Sequence, residues 1–126
     1  MKNLAIILIL SLSFLASCAN YGSEKKYGNL QMFYTEGISE SQVDELATFL
    51  EEQGFVSDTE ISVQLNKEGE IYQFRMVTKD EFIEDETKHP IFKTMANMIS
   101  SEVFDDATVE VHLCDERLET MKIIKQ

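Results

Sequence analysis

Glu110, His112 and Cys114 occupy alternate positions of one short run. Carboxylate, imidazole and thiol are the side chains that bind zinc or copper, or that make a thiol nucleophile with its base. If the run is a β-strand, the three share a face, with successive side chains about 6.6 Å apart. Ligands in a row on one strand need another element to complete a tetrahedron, and the chain offers no Cys-x-x-Cys and no second histidine nearby. Small-ligand or metal handling by these three is therefore the alternative reading, with no metal assigned and no cofactor expected.

Other chemistry-bearing residues read more simply. Arg75 lies between Phe74 and Met76 and alternates with Ile71, Gln73 and Val77, so it is expected to pair across a sheet with Glu110 or Glu60. The stretch from Asp80 to Glu86 gathers five carboxylates. It lacks the spacing and turn glycine of a calcium loop and is expected to be a solvated acidic loop between Lys79 and Lys88. Met95 and Met98 are expected as core filler. No Gly-rich phosphate cradle, Gly-x-Ser-x-Gly elbow or His-Glu-x-x-His pair is present, so no catalytic residue is assigned and the chain is not read as an enzyme.

The remaining cysteine, Cys18, closes a different pattern. Lys2 gives a positive start, Leu4 to Leu15 is apolar except for Ser11 and Ser13, and Ala16 and Ser17 are small. Such a run spans ~18 Å as a helix against a hydrocarbon core of ~30 Å, which suits a cleavable leader and not a permanent span. Leu15-Ala16-Ser17-Cys18 resembles the lipobox of bacterial lipoproteins. The resemblance implies lipid on the Cys18 sulfur, cleavage after Ser17, and commonly a further palmitate-type acyl chain on the freed amine. Two or more chains anchor stably, since each buried methylene contributes about 0.8 kcal/mol. Ala19 is not the aspartate that retains enteric lipoproteins at the inner membrane, so the resemblance favours the outer membrane of a bacterial cell envelope.

Charge bounds the partners. The 126 residues carry 23 acidic and 11 basic side chains, a net −12, and loss of Lys2 with the leader makes it −13. Without a basic stripe the chain cannot gain affinity by displacing counterions from a polyanion, so nucleic-acid binding is excluded. The same charge disfavours anionic lipid headgroups, leaving a covalent lipid as the route to the membrane.

The elements that must position these residues follow from periodicity. Residues 18–29 are small, polar and aperiodic, and are expected to be the lipidated start and a flexible tether of roughly 35 Å at full stretch. From residue 30 to 126 one α+β domain is expected. Leu30 to Tyr34 reads as a strand. Ser39 and Gln42 have capping-box spacing ahead of the stripe Val43, Leu46, Ala47, Leu50, with Gly54 as the stop. Ile61 to Leu65 and Ile71 to Thr78 alternate as a hairpin around Asn66 to Gly69. Pro90 opens a second helix whose stripe is Ile91, Met95, Met98, Ile99 and Val103, ending near Phe104. Ala107 to Cys114 is the fourth strand, and Leu118 to Ile124 a short tail strand.

The order β-α-β-β-α-β fits a ferredoxin-like two-layer sandwich with two helices on one face of the sheet. Through Tyr34-Thr35, Tyr72-Gln73-Phe74-Arg75 and Val109-Glu110-Val111-His112-Leu113-Cys114, the chain also resembles small uncharacterised bacterial domains of that kind, which implies a recurring fold and transfers no catalytic residue. An open sheet face carrying Phe33, Gln73, Arg75 and His112 is then expected to meet an envelope protein or a second copy, making the domain an interaction or accessory module.

Overall fold

A computed structural model describes residues 21–126. The leader, the lipobox with Cys18, and Ala19 lie outside the described residues. Among these, six strands form one sheet: β1 (Ser23–Tyr27), β2 (Leu30–Tyr34), β3 (Ile61–Glu68), β4 (Ile71–Val77), β5 (Val109–Cys114) and β6 (Thr120–Lys125). The helices are α1 (Glu40–Glu52), a short α2 (Asp80–Glu84) followed by a 3-10 turn at Glu86–Lys88, and α3 (His89–Val103).

Helix α1 forms where its local signals place it. The Ser39 hydroxyl accepts from the Gln42 amide at 3.2 Å, and the Gln42 side chain accepts from the Ser39 amide at 3.0 Å. Two of the four donors that a helix start leaves unpaired are thereby satisfied. The side-chain Nε2 of Gln42 donates to the Tyr72 hydroxyl at 3.1 Å, fastening the helix start to the sheet. At the other end Phe55 N–H bonds the Leu50 carbonyl and Gly54 N–H the Glu51 carbonyl, a complete Schellman motif that needs the left-handed φ of 79° at Gly54.

Period-two alternation sends Leu30, Met32, Val63, Leu65, Phe74, Val109, Val111 and Leu113 to the helix-covered face, where they are buried with Val43, Leu46, Leu50 and Ile99. Each such side chain stabilises the fold by about 1.5–3 kcal/mol on leaving water. The stripe of α3 keeps the expected Met95, Ile99 and Val103 and differs from the expected one at its start. Phe92, Met95, Ala96, Ile99 and Val103 face the core, while Ile91 is 59% exposed. The rings of Phe92 and Phe82 meet edge to face at 6.5 Å, so the larger side chain wins the interior.

The α+β two-layer class holds, and the sheet differs from a ferredoxin-like one in strand number and order. Its strands run β1 to β6 in chain order; β2 with β3 and β4 with β5 are parallel, the remaining neighbours antiparallel. The added strand lies in the segment expected to be a tether. Residues 23–27 are instead β1, paired from Ser23 with Tyr34 to Tyr27 with Leu30 through the two-residue turn Gly28-Asn29. A ferredoxin-like order would put the last core strand on the free edge of the first and the third between the first and second. Here a local hairpin, cheap to close, occupies that edge, and β2 pairs directly with β3. The expected acidic loop is also structured, as α2 and the 3-10 turn, because His89 Nε2 bonds the Phe82 and Ile83 carbonyls at 3.1 and 3.0 Å and Asp85 accepts from the Thr87 amide and hydroxyl.

Candidate functional site

Parallel pairing sets Gln73 beside Glu110, Arg75 beside His112 and Val77 beside Cys114, and antiparallel pairing sets Gln64 beside Arg75. All the polar members therefore share the sheet face turned away from the helices. The expected triple is brought to one face, but its side chains are engaged separately. His112 Nε2 meets Glu110 Oε1 at 3.1 Å, and Nδ1 meets the Thr120 hydroxyl at 2.9 Å. The Cys114 thiol is fully buried and donates to the His112 carbonyl at 3.5 Å.

Burial raises the Cys114 thiol pKa above its ordinary 9.0, opposed only in part by the nearby Arg75 cation. A thiol so held is a poor nucleophile, because the thiolate is the reactive form. Both imidazole nitrogens already have partners. Among the described residues no group of three or more His, Cys, Asp or Glu side chains is placed to hold a metal, and this includes the acidic α2 segment.

Arg75 does not pair with Glu110 or Glu60. Its Nη1 donates to Gln64 Oε1 at 2.9 Å, and its Nη2 donates to the Leu118 carbonyl at 2.5 Å and the Thr120 hydroxyl at 3.2 Å. Its Nε is buried without a partner among the described residues. Glu60 instead lies 3.7 Å from Lys26, an ion pair made possible by β1. The hydroxyl of Thr120 accepts from Arg75 and also meets His112 Nδ1, so it links Arg75 to the His112–Glu110 pair.

Hydroxyl, imidazole and carboxylate thus stand in the order that activates a hydroxyl nucleophile. However, Arg75 engages the hydroxyl, and the main clefts of the domain are lined by other residues. What the arrangement does is structural: it ties the β5–β6 loop, through Leu118 and Thr120, to the centre of the sheet.

On the face expected to be open, Phe33, Gln73 and Arg75 are half-buried and each is also engaged within the domain. His112 is 5% exposed. Gln73 sits within a ladder from Thr35 through Asn66 to Glu68, with bonds of 2.7, 2.8 and 3.1 Å. Phe33 packs on the Tyr21 ring at 5.3 Å. Sequence reasoning missed Thr120, Gln64 and the Leu118 carbonyl; the expected hairpin already set the strand of Gln64 beside that of Arg75, but nothing in the sequence showed that the β5–β6 loop would reach Arg75.

A second feature lies on the opposite layer. Helices α1 and α3 run antiparallel with a groove between them. One end, a cleft of about 460 Å³, is lined by Asp44, Glu45, Thr48, Phe49, Glu52, Glu102 and Val103. The other, of about 230 Å³, is lined by Phe49, Gln53, Phe55, Ile91, Thr94, Met95 and Met98. Asp44 accepts from Lys25 at 2.8 Å and from the Tyr27 hydroxyl, contacts that hold its carboxyl below the usual carboxylate range and push Tyr27, already raised by partial burial, up to about 12.

Fold and network together define a small acidic α+β domain with a sequentially ordered mixed sheet and an inward-looking polar face. The chain belongs to the AF_1994_N family N-terminal domain, whose model matches residues 26–126. It is 26% identical over 129 residues to an uncharacterised protein of Archaeoglobus fulgidus, covering 99% of this chain and 53% of that protein. The chain thus spans about half the length of the relative it matches. No solved structure gives a significant match.

Proposed function

We propose that the chain is a lipoprotein of the cell envelope, its leader ending at Ser17 and its lipid on Cys18, and that its acidic α+β domain is an interaction or accessory module. The observation that carries this is Leu15-Ala16-Ser17-Cys18 in register after a basic start and an apolar run too short to span. Three further facts support it. No helix among the described residues is long and apolar enough to cross a membrane. Cys114 is buried, so among the described residues no exposed thiol is offered for lipid attachment. The surface is too acidic to bind anionic headgroups unaided.

With Ala19 after the cysteine, the outer membrane is the favoured destination, and a protein of the same envelope, or a second copy, is the expected partner. Because the described fold begins by Gly22, four residues past Cys18, the domain would stand no more than about 14 Å from its lipid.

The test is intact-mass measurement on protein extracted from native membranes, beside a Cys18→Ser variant. The expected result is a chain starting at residue 18 with diacylglycerol and acyl mass, and a variant that keeps its leader. A leader still attached to the native protein, or a bare thiol at position 18, would overturn the proposal.

A further inference from the structure

We infer that the groove between α1 and α3 is a docking site for a cationic amphipathic segment of a partner protein. Four large apolar side chains are exposed among the described residues, and two of them, Phe55 and Ile91, lie together at one end of this groove. Core packing explains why they are there: α3 turned Phe92 inward and left Ile91 and Met98 beside Phe55.

The other end of the groove is acidic. Asp44, Glu45, Glu52 and Glu102 line it; Asp44 is paired with Lys25, the three glutamates have no cationic partner within 4.0 Å among the described residues, and no Lys or Arg lines either cleft. Helix α1 contains no basic residue at all. An apolar floor continued by unpaired carboxylates fits a helix with leucine-like side chains on one stripe and Lys or Arg beside it, in the helix-in-groove manner. It does not fit an anionic bilayer, which the carboxylates would repel. The groove follows helices of 13 and 15 residues, about 20 Å, which matches a partner helix of similar length.

The orientation of the groove rests on the lipoprotein reading; its chemistry does not. The chain enters the fold at Gly22, beside Tyr34 at the end of β2, whereas Phe55 lines a small cleft with Ile61, whose strand partner is Leu30 at the start of β2. The apolar end thus points away from the anchor by about one strand length, roughly 17 Å, towards a neighbour in the envelope.

The experiment uses the full chain as cells process it, with its intact mass recorded, and a fluorescent Leu/Lys peptide of about 18 residues patterned as an amphipathic helix. Anisotropy is expected to show binding that weakens with salt, and none by the Leu/Glu counterpart. Ile91→Ser, at an exposed position that leaves the core intact, should lower affinity about tenfold, as loss of an apolar anchor does. Glu52→Gln with Glu102→Gln should lower it about fivefold at low salt, while Glu116→Gln with Glu119→Gln, on the β5–β6 loop, should not.

No binding, no effect of Ile91→Ser, or equal effects of the two acidic pairs would overturn the groove, the last by showing general charge attraction. A bare Cys18 with intact groove binding would sink the anchor alone, and a lipidated chain with no groove effect the groove alone.

Discussion

Arg75→Met keeps much of the aliphatic volume of Arg75 and removes its guanidinium. It deletes the bonds to Gln64 Oε1, the Leu118 carbonyl and the Thr120 hydroxyl, at 2.9, 2.5 and 3.2 Å. Hydrogen bonds from a charged donor contribute roughly 1.5–3 kcal/mol each, and at the low end of that range, fitting a half-exposed side chain, the gross loss is about 5 kcal/mol. Against this stands relief of a partly buried cation with no carboxylate partner and an unpaired Nε, worth about 3 kcal/mol. The net destabilisation is about 2 kcal/mol, and with a urea slope of about 1–3 kcal/mol per molar the midpoint should fall by about 1 M. Circular dichroism across a urea series measures it. Limited proteolysis should also show earlier cleavage in residues 115–119, which lose their tie to β4. A midpoint equal to or above that of the unaltered protein would show that the network contributes no stability, and the reasoning would be wrong.

Gly22→Ala tests whether the fold starts before residue 30. An added Cβ would lie 2.3 Å from the Tyr34 carbonyl oxygen at a φ of 92°, so a loss of about 2 kcal/mol or more is expected in thermal melts, whereas a flexible tether would tolerate the change. Asp44→Asn tests the edge contact on the acid side. The carboxyl of Asp44 is held below its ordinary 3.8, so its contribution is present above that pH and lost as pH falls through the lower folded value. Melting curves of variant and unaltered protein should accordingly differ at neutral pH and converge in acid. Tyr27 gives the alkaline counterpart. Its pKa is raised from 10.0 to about 12, so its contribution is complete below 10.0 and lost as pH rises through about 12, and Tyr27→Phe should remove a late step from the ultraviolet titration.

Much of the local structure was legible. Ser39, Gln42 and Gly54 marked both ends of α1 because capping chemistry is decided by residues a few positions apart. Period-two alternation found β3, β4 and β5 and the side chains that β5 sends inward. Two elements escaped for physical reasons. Strand β1, SEKKY, has no apolar period because it is an edge strand held by backbone bonds and by Lys25 ion pairs at 2.8 Å to Glu40 and Asp44. The start of the α3 stripe was ambiguous because Ile91 and Phe92 both begin valid helical spacings, and it is tertiary packing, including the edge-to-face contact with Phe82, that puts Phe92 inside.

The amino-acid order alone sufficed for the acidic surface, the α+β class and the placing of Glu110, His112 and Cys114 on one side of a strand, since each depends on composition or on repeats of two and 3.6 residues. Which strands become neighbours depends on contacts between distant segments. That choice gave Arg75 to Gln64, Leu118 and Thr120 in place of a carboxylate, buried His112 on the outer sheet face, and left Ile91 and Phe55 on the surface between two helices. Periodicity fixes the direction of a side chain and carries no record of what will be opposite it.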